Sequence, residues 1–91
     1  MYKIRFTGRF KKDYKIICKR GYDLNLLEVV ISKLTINGIV PENHHPHKLS
    51  GNYKDSWECH IKPDWLLIWD INEEESEIWL VRTGKHSDLF S

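Results

Sequence analysis

A run of five large apolar residues, from Trp65 to Trp69, is the feature that most constrains the fold of this chain. Because no polar side chain interrupts it, the run predicts a strand over Trp65–Ile71 that is buried on both faces or nearly so. A strand of this kind needs other elements packed above and below its sheet. The chain has 91 residues, which is enough for one compact core and a single domain spanning residues 1–91.

The segments that flank this strand extend it into a sheet. Apolar and polar residues alternate from Ser56 to Lys62, which predicts a preceding strand. The sequence of residues 62–65, Lys-Pro-Asp-Trp, is typical of a tight turn with proline at its second position. An acidic turn at residues 72–75 leads to a predicted strand over Glu77–Thr83 and a helical turn over Ser87–Phe90. Together these segments predict an antiparallel meander.

The first forty residues predict one strand and two helices. Alternation predicts a strand over Tyr2–Phe6, and apolar spacing predicts a helix over residues 8–20 and a second helix that closes at Asn37-Gly38. The residues that start and stop these helices are Thr7, Gly21, Asp23 and Gly38.

The polar, histidine-rich segment from Pro41 to Leu49 predicts a loop between the two halves of the chain. The predicted fold class is therefore α+β. An N-terminal strand and two helices precede an antiparallel β-meander with a short C-terminal helical turn, and the helices cover one face of the sheet.

Charge is distributed unevenly along a chain whose net charge is only +1. Residues 1–20 contain eight basic side chains and a single acidic one, Asp13, whereas residues 70–77 contain acidic side chains and no basic ones. Such a distribution can give a nearly neutral protein a basic surface that meets a polyanion. Charge alone favours the simpler alternative, a solvated helix face and an acidic turn.

Several classes of protein are disfavoured by the sequence. No apolar run approaches the roughly 18 residues of a membrane span, and no apolar stretch follows the charged start of the chain as it would in a secretory signal. The two cysteines, Cys18 and Cys59, are too few for a disulfide framework. We therefore expect both to be reduced core thiols in a cytoplasmic protein with no membrane partner.

The histidines His44, His45 and His47 lie within four positions and suggest a metal site. Adjacent histidines in an extended loop point apart, however, and no cysteine or carboxylate stands at a spacing that would complete the ligand set. A solvated loop, or a single useful imidazole, is the favoured interpretation. No metal and no cofactor is predicted.

A second group of polar residues follows the predicted strands. His60 ends one strand, Asp64 lies just past the hairpin turn, and His86 follows the last strand with Arg82 and Lys85 beside it. Histidine exchanges protons near neutral pH, a carboxylate can orient or assist it, and arginine can hold a phosphate. This set suits cleavage of a phosphodiester by a base and an acid. The alternative is a surface ion pair between Arg82 and Asp64, with His60 as a structural strand residue.

Three ordered blocks, at residues 47–51, 59–69 and 82–90, resemble the YafQ branch of the RelE/ParE toxin superfamily. The family pattern reads His-x-Leu-x-Gly, then His-(Ile/Val)-x-Pro-Asp-Trp, then Arg-x-Gly-x-His-x-x-Leu-Phe. The resemblance implies the RelE/ParE-like fold. It also implies a toxin of a type II toxin–antitoxin system that cleaves messenger RNA in the ribosomal A site and so inhibits translation.

The resemblance also implies roles for particular residues. The active-site residues that it implies are His47, His60, Asp64 and His86. Arg82 and Lys85 would bind the scissile phosphate, and Phe90 would support the site or stack near a base. His86 is the expected general acid, with Asp64 or His60 as base or orienting group. Many relatives carry arginine where this chain has Trp57, which puts a phosphate contact at that position in doubt.

The implied partners are the ribosome with its mRNA and a cognate acidic antitoxin similar to DinJ or RelB. The basic residues expected to grip ribosomal RNA, and to attract the antitoxin, are Arg9, Lys11, Lys12, Lys15 and Lys19. Two alternatives differ in class: a ParE-like toxin that inhibits DNA gyrase by binding, and a non-catalytic module that only docks an antitoxin or RNA. The histidine and aspartate pattern disfavours both.

Overall fold

The computed structural model describes residues 1–90, and they form a sheet with two helices on one face and a short helix on the other. The strands and helices are β1 Lys3–Phe6, α1 Gly8–Lys19, α2 Leu24–Asn37, β2 His47–Lys48, β3 Trp57–Lys62, β4 Trp65–Asn72, β5 Glu77–Gly84 and α3 His86–Phe90. The five-stranded sheet has the order β1-β5-β4-β3-β2. Strands β2 to β5 pair antiparallel, as the meander predicts, whereas β1 lies parallel to β5 at the edge.

The residues predicted to start and stop the helices do so. The Thr7 hydroxyl accepts a hydrogen bond from the Phe10 N–H, and the Asp23 carboxylate accepts one from the Asn25 N–H. Gly38 ends α2 in the left-handed conformation, with φ of 69°. A Cβ atom at Gly38 would lie 2.5 Å from the ring of Tyr2, so the close approach of this ring also requires glycine there.

Both faces of β4 are covered, as its apolar sequence predicts. Helices α1 and α2 pack their buried residues against Leu67 and Trp69 on one face. On the other face, Leu66 and Ile68 pack against Leu89 of α3 and against Tyr53. The second face receives much thinner cover than the first, because only short segments cross it. This difference leaves part of that face open.

Two expectations from the sequence are wrong or incomplete. The segment Pro41–Leu49 is not a simple loop, because it contains a 3-10 turn at Glu42–His44 and the edge strand β2. Cys18 is exposed on α1 and is not a core thiol, since it lies outside the apolar stripe of that helix. Cys59 is buried as expected, and burial, with a smaller effect of the charge on Glu58, raises the pKa of its thiol to about 12.

Across residues 1–90, the helices are too short or too polar for any of them to cross a membrane.

Candidate active site

Two rows of cross-strand neighbours build the open face of the sheet. In the first row His47 pairs with Glu58, Glu58 with Ile68, and Ile68 with Arg82. In the second row His60 pairs with Leu66, and Leu66 with Gly84, two residues before His86. Directly paired residues share a sheet face, and strands lie about 4.8 Å apart, so His60 and Gly84 are separated by about 10 Å. The topology thus gathers three sequence-distant motifs on one face.

His60 has its two ring nitrogens in different surroundings. Its Nδ1 lies 3.2 Å from the carbonyl oxygen of Pro63, in the turn between β3 and β4. A carbonyl only accepts, so we assign the proton of neutral His60 to Nδ1. The tautomer assigned in this way leaves a lone pair on Nε2. A half-exposed imidazole in this state can accept a proton from a substrate hydroxyl.

His47 forms a pair with Glu58, a residue that the sequence analysis did not single out. The Nδ1 of His47 lies 2.9 Å from the carbonyl oxygen of His45, and its Nε2 lies 3.1 Å from Oε1 of Glu58. The Glu58 carboxylate is buried, with 6% of its side chain exposed, and its Oε2 has no hydrogen-bond partner within residues 1–90. With Nδ1 donating to a carbonyl, one further proton must lie between Nε2 and Glu58 for this contact to be a hydrogen bond.

His44 and His45 both lie beside His60. His44 Nδ1 lies 2.9 Å from the carbonyl oxygen of His60, and the His45 ring meets the His60 ring edge-on at 6.2 Å. No group of three or more histidine, cysteine, aspartate or glutamate side chains in the described part of the chain could hold a metal ion.

Asp64 and His86 come together through the backbone. The Asp64 Oδ1 atom accepts a hydrogen bond of 3.3 Å from the N–H of His86, which joins the β3–β4 turn to the start of α3. Both residues are exposed. The His86 ring packs against Phe90 at 4.8 Å, and Phe90 meets Tyr53 edge-on at 5.7 Å. His86 is therefore held at the rim of the open face with its imidazole in reach of solvent.

Arg82 pairs with Asp13 of α1 and not with Asp64, so the surface ion pair considered from the sequence is wrong. Its Nε and Nη2 atoms donate to the two Asp13 oxygens at 2.7 and 3.1 Å, and Nη1 donates to the Tyr53 hydroxyl at 3.2 Å. These hydrogen bonds with Asp13, despite the opposing effect of burial, raise the pKa of Arg82 above its ordinary value. The pairing was hidden in the sequence because 69 residues separate the partners.

Lys85 lies at the junction of β5 and α3. Its side chain is exposed, while its N–H donates to Asp88 Oδ2 at 3.0 Å. The same oxygen accepts a hydrogen bond of 2.7 Å from Arg20, and this contact lowers the pKa of Asp88. Gly84 precedes the junction with φ of 149°, and a Cβ atom there would lie 3.2 Å from Asp88 Oδ2. A glycine at this position lets α3 fold back against β5.

Trp57 lies on the opposite face from this site. Its register partner in β2 is Lys48, and its ring stacks on that of Trp69 beneath the helices at 6.2 Å. Side chains alternate between the two faces along a strand, so Trp57, one residue before Glu58 and three before His60, lies on the opposite face from both. A phosphate contact from position 57 to the histidine face is therefore ruled out by geometry.

The basic residues of α1 form an exposed surface. The side chains that we call the basic face of α1 are Arg9, Lys11, Lys12, Lys15 and Lys19, and all five are exposed. Asp13 is the acidic residue within this helix, and it points inward to Arg82. The basic face is thus not neutralised by the acidic residue nearest to it in sequence.

The helix-backed sheet superposes on solved structures of bacterial toxins. A metal-bound toxin from Helicobacter pylori superposes with a TM-score of 0.90 at 42% sequence identity, covering 99% of this chain and 100% of that chain. A chain from the Escherichia coli DinJ–YafQ complex superposes with a TM-score of 0.88 at 32% identity, covering 100% of both chains. The predicted RelE/ParE-like fold is therefore confirmed.

The sequence comparisons define the family. The mRNA interferase toxin YafQ of Escherichia coli K12 is 33% identical over 88 residues, which cover 96% of this chain and 94% of that protein. The family model described as the YafQ bacterial toxin of type II toxin–antitoxin systems matches residues 2–91. This chain belongs to the YafQ family of bacterial toxins.

Proposed function

We propose that this chain is the toxin of a type II toxin–antitoxin system and an endoribonuclease that cuts mRNA in the ribosomal A site. The observation that carries the proposal is that His60 pairs with Leu66 and Leu66 pairs with Gly84, two residues before His86, so that both histidines lie at the same end of the sheet. Two histidines on either side of a scissile phosphodiester can perform both proton transfers that RNA cleavage requires. The similarity to proteins named mRNA interferase toxin gives the substrate class.

In the proposed reaction, His60 is the base and His86 is the acid. His60 Nε2 takes the proton of the ribose 2′-hydroxyl as the 2′-oxygen attacks phosphorus and forms a new P–O bond. The bond from phosphorus to the 5′-oxygen breaks, and protonated His86 gives its proton to that oxygen. The products are a 2′,3′-cyclic phosphate and a 5′-hydroxyl. The lone pair on Nε2 that we infer for His60 favours this residue over Asp64 as base.

Asp64 then acts as a positioning residue. Its hydrogen bond to the His86 N–H fixes the start of α3, and so the height of the His86 ring above the sheet. The contact between the Phe90 and His86 rings, with centroids 4.8 Å apart, restricts the same ring. The exposed part of Phe90 remains available to a base of the substrate.

Arg82 and the His47–Glu58 pair are proposed to bind the phosphate between the two histidines. Asp13 and Tyr53 engage three of the five N–H groups of the Arg82 guanidinium, so two N–H groups at its tip remain for a phosphate oxygen. His47 would donate its Nε2–H to the phosphate in place of Glu58 Oε1. Lys85 adds a positive charge at the rim, where it attracts the substrate.

The acid–base assignment is tested by single-turnover cleavage of mRNA on programmed ribosomes. His86→Ala and His60→Ala should each slow cleavage by about 10²–10⁴-fold while ribosome binding is retained. Glu74→Ala, an exposed change in the turn between β4 and β5, is the matched control and should cleave at the normal rate. Cleavage at the wild-type rate by His86→Ala would contradict the assignment.

A second experiment, in cells, distinguishes the proposed cleavage of mRNA from inhibition of DNA gyrase. Brief induction of the toxin in cells should arrest growth and produce mRNA ends at translated codons, mapped by primer extension. Arrest with undisturbed mRNA would instead support a ParE-like action on DNA gyrase. Equal cleavage of naked RNA would contradict the dependence on the ribosome.

The basic face of α1 is proposed to bind ribosomal RNA, and also the acidic antitoxin. A groove of about 560 Å³ between α1 and α2 adjoins it, with Phe10, Leu24 and Ile31 among its apolar residues and Lys11 and Lys15 at its rim. An acidic peptide with apolar anchors matches this groove in both chemistry and charge. The antitoxin would thereby occupy a surface that the ribosome needs.

Charge reversal tests this surface. Lys12→Glu with Lys15→Glu should weaken ribosome binding and make its dependence on salt shallower, because fewer phosphate contacts release counterions. The same variant should bind less of the small acidic protein encoded beside the toxin gene, measured by pull-down after co-expression. If no neighbouring product binds the wild-type toxin or rescues growth, the proposed antitoxin partner is wrong.

A further inference from the structure

A pocket of about 460 Å³ lies beside the proposed active site, between the α1–α2 turn and the β3–β4 turn. Tyr22, Pro63 and Trp65 supply its apolar walls, and Lys62, Lys85 and Asp64 also line it. The mechanism proposed above uses Asp64 and Lys85 but gives no role to Tyr22 or to the pocket itself. The pocket therefore shares Asp64 and Lys85 with the candidate site, and its other residues have no assigned role.

The aromatic wall of the pocket is rigidly supported. The Tyr22 ring meets the Trp65 ring edge-on, with centroids 4.8 Å apart and an angle of 66° between the rings. Trp65 is itself buried, and its Nε1–H donates to the Thr83 hydroxyl at 2.9 Å. Because Trp65 is fixed by the core, Tyr22 is held in place without being fully covered. A half-buried aromatic ring on a fixed support is a suitable platform for stacking.

The charges around the pocket indicate the kind of ligand. Lys62 and Lys85 are both exposed, one at the end of β3 and one after β5, so two separate elements bring positive charge to the pocket lining. Phosphates on either side of a stacked base match this pattern. The carboxylates of Asp23 and Asp64 line the pocket as well, so the anionic groups of a ligand must lie near Lys62 and Lys85.

We propose that this pocket binds the nucleobase of an RNA nucleotide that flanks the scissile phosphodiester, with Tyr22 as the stacking residue. Lys62 and Lys85 bind the phosphates on either side of that base. The inference rests on the proposed function, because it takes the cleaved RNA strand as the ligand. It adds a second fixed point on the substrate, so that the scissile bond is aligned between His60 and His86.

The test combines a protein change with a substrate change in one cycle. Wild type and Tyr22→Leu cleave ribosome-bound mRNAs in which one flanking nucleotide at a time is made abasic, under single-turnover conditions. Tyr22→Leu should slow cleavage of normal mRNA by roughly 10- to 100-fold, the usual effect of losing one base stack. The abasic nucleotide at the position bound by the pocket should slow wild type by a similar factor and should slow Tyr22→Leu little further.

Two variants control for changes in folding. Tyr22→Phe keeps the ring and should restore most of the rate, whereas Trp79→Leu removes an exposed aromatic residue on the far part of β5 and should have no effect. A fluorescent 2-aminopurine at the same flanking position should be quenched on binding wild type, but not on binding Tyr22→Leu. This signal reports stacking directly, independently of the cleavage rate.

The outcomes separate the inference from the proposed function. If wild type leaves programmed mRNA intact, the proposed function itself fails. If wild type cleaves and the abasic penalty is the same size in Tyr22→Leu, the base pocket is overturned. If Tyr22→Leu cleaves normally but escapes neutralisation by the acidic antitoxin, the pocket binds the antitoxin and the RNA assignment is again overturned.

Discussion

Two buried carboxylates on this molecule have almost equal exposure and very different surroundings. Asp13 is 6% exposed and accepts hydrogen bonds from Nε and Nη2 of Arg82 and from the N–H of Thr83. Glu58 is 5% exposed and has one contact, with His47, while its second oxygen has no partner among residues 1–90. The two residues lie near opposite ends of the cross-strand row that runs from His47 to Arg82.

This difference indicates that Asp13 stabilises the fold and that Glu58 has a functional role. When both oxygens of a buried carboxylate accept hydrogen bonds and an arginine binds them in a bidentate manner, these contacts offset the free-energy cost of desolvation. An unpaired buried oxygen costs about 1–3 kcal/mol or more, and such groups in native proteins call for a functional explanation. The Glu58 end of the row is the end that carries His47, so we expect its incomplete pairing to serve catalysis.

The largest effect should come from breaking the complete pair. Asp13→Ala leaves the guanidinium of Arg82 buried without its counter-charge, which we expect to lower the free energy of unfolding by about 3–5 kcal/mol. For a domain of this size the melting temperature should fall by roughly 15 °C or more. Thermal and denaturant unfolding measure the change. The double variant Asp13→Ala with Arg82→Met should recover much of the lost free energy of unfolding. A loss below about 1 kcal/mol in Asp13→Ala would contradict the proposed difference between Asp13 and Glu58.

The next effect should appear in activity rather than in stability. Glu58→Leu removes the incompletely paired carboxylate, so we expect stability to stay within about 1 kcal/mol of wild type or to rise. Cleavage should fall by about tenfold or more, because His47 loses its partner. Unfolding and single-turnover cleavage are measured on the same preparation, with Glu74→Ala as control. Strong destabilisation with unchanged cleavage would show that Glu58 is structural after all.

The smallest effect should come from a carboxylate at the surface. Hydrogen bonds from Arg20 lower the pKa of Asp88, and both side chains are about one third exposed. A carboxyl group with a lowered folded-state pKa stabilises the fold above its unfolded pKa, and this contribution is lost as pH falls through the folded value. Wild type should therefore be slightly more stable than Arg20→Gln at pH 7, and the two should converge in strong acid.

Urea unfolding at a series of pH values measures this convergence. Asp88→Asn should remove the same pH-dependent difference, which makes it the matched control. A difference between wild type and Arg20→Gln that persists below the folded-state pKa of Asp88 would mean that Arg20 stabilises the protein by packing instead. In either case the solvent-exposed pair gives a reference against which the burial of Asp13 can be judged.

Much of the fold could be predicted from the sequence because its signals are local. Thr7, Asp23 and Gly38 each act within a few residues of their own position, and the hairpin turn at Pro63-Asp64 joins two adjacent strands. The parallel pairing of β1 with β5 has no such signal, because more than seventy residues separate the partners and no turn connects them. The helix boundaries can therefore be predicted from the sequence, whereas the position of the first strand in the sheet cannot.

In the candidate site, too, the residues of local motifs could be predicted from the sequence, whereas those that depend on distant partners could not. His60, Asp64 and His86 lie in short recognisable blocks, and the structure brings all three to one region. In the sequence, Asp13 is an isolated acidic residue in a basic helix, and Glu58 is one of the polar residues of an alternating strand. Their importance depends on burial and on partners from other elements, which strand and helix periodicity does not specify. The roles of all the predicted site residues in the reaction stay predictions.

The parallel contact between β1 and β5 also has a consequence for protein synthesis. The first strand leaves the ribosome early, but its neighbour in the sheet is the last strand to be made. Contacts between distant parts of a chain form slowly, and they cannot begin before both parts have emerged. The nascent chain therefore carries α1 and α2 in the open long before Arg82 and His86 join them. The surfaces of α1 and α2 are therefore accessible to a binding partner before the residues of the candidate site are assembled.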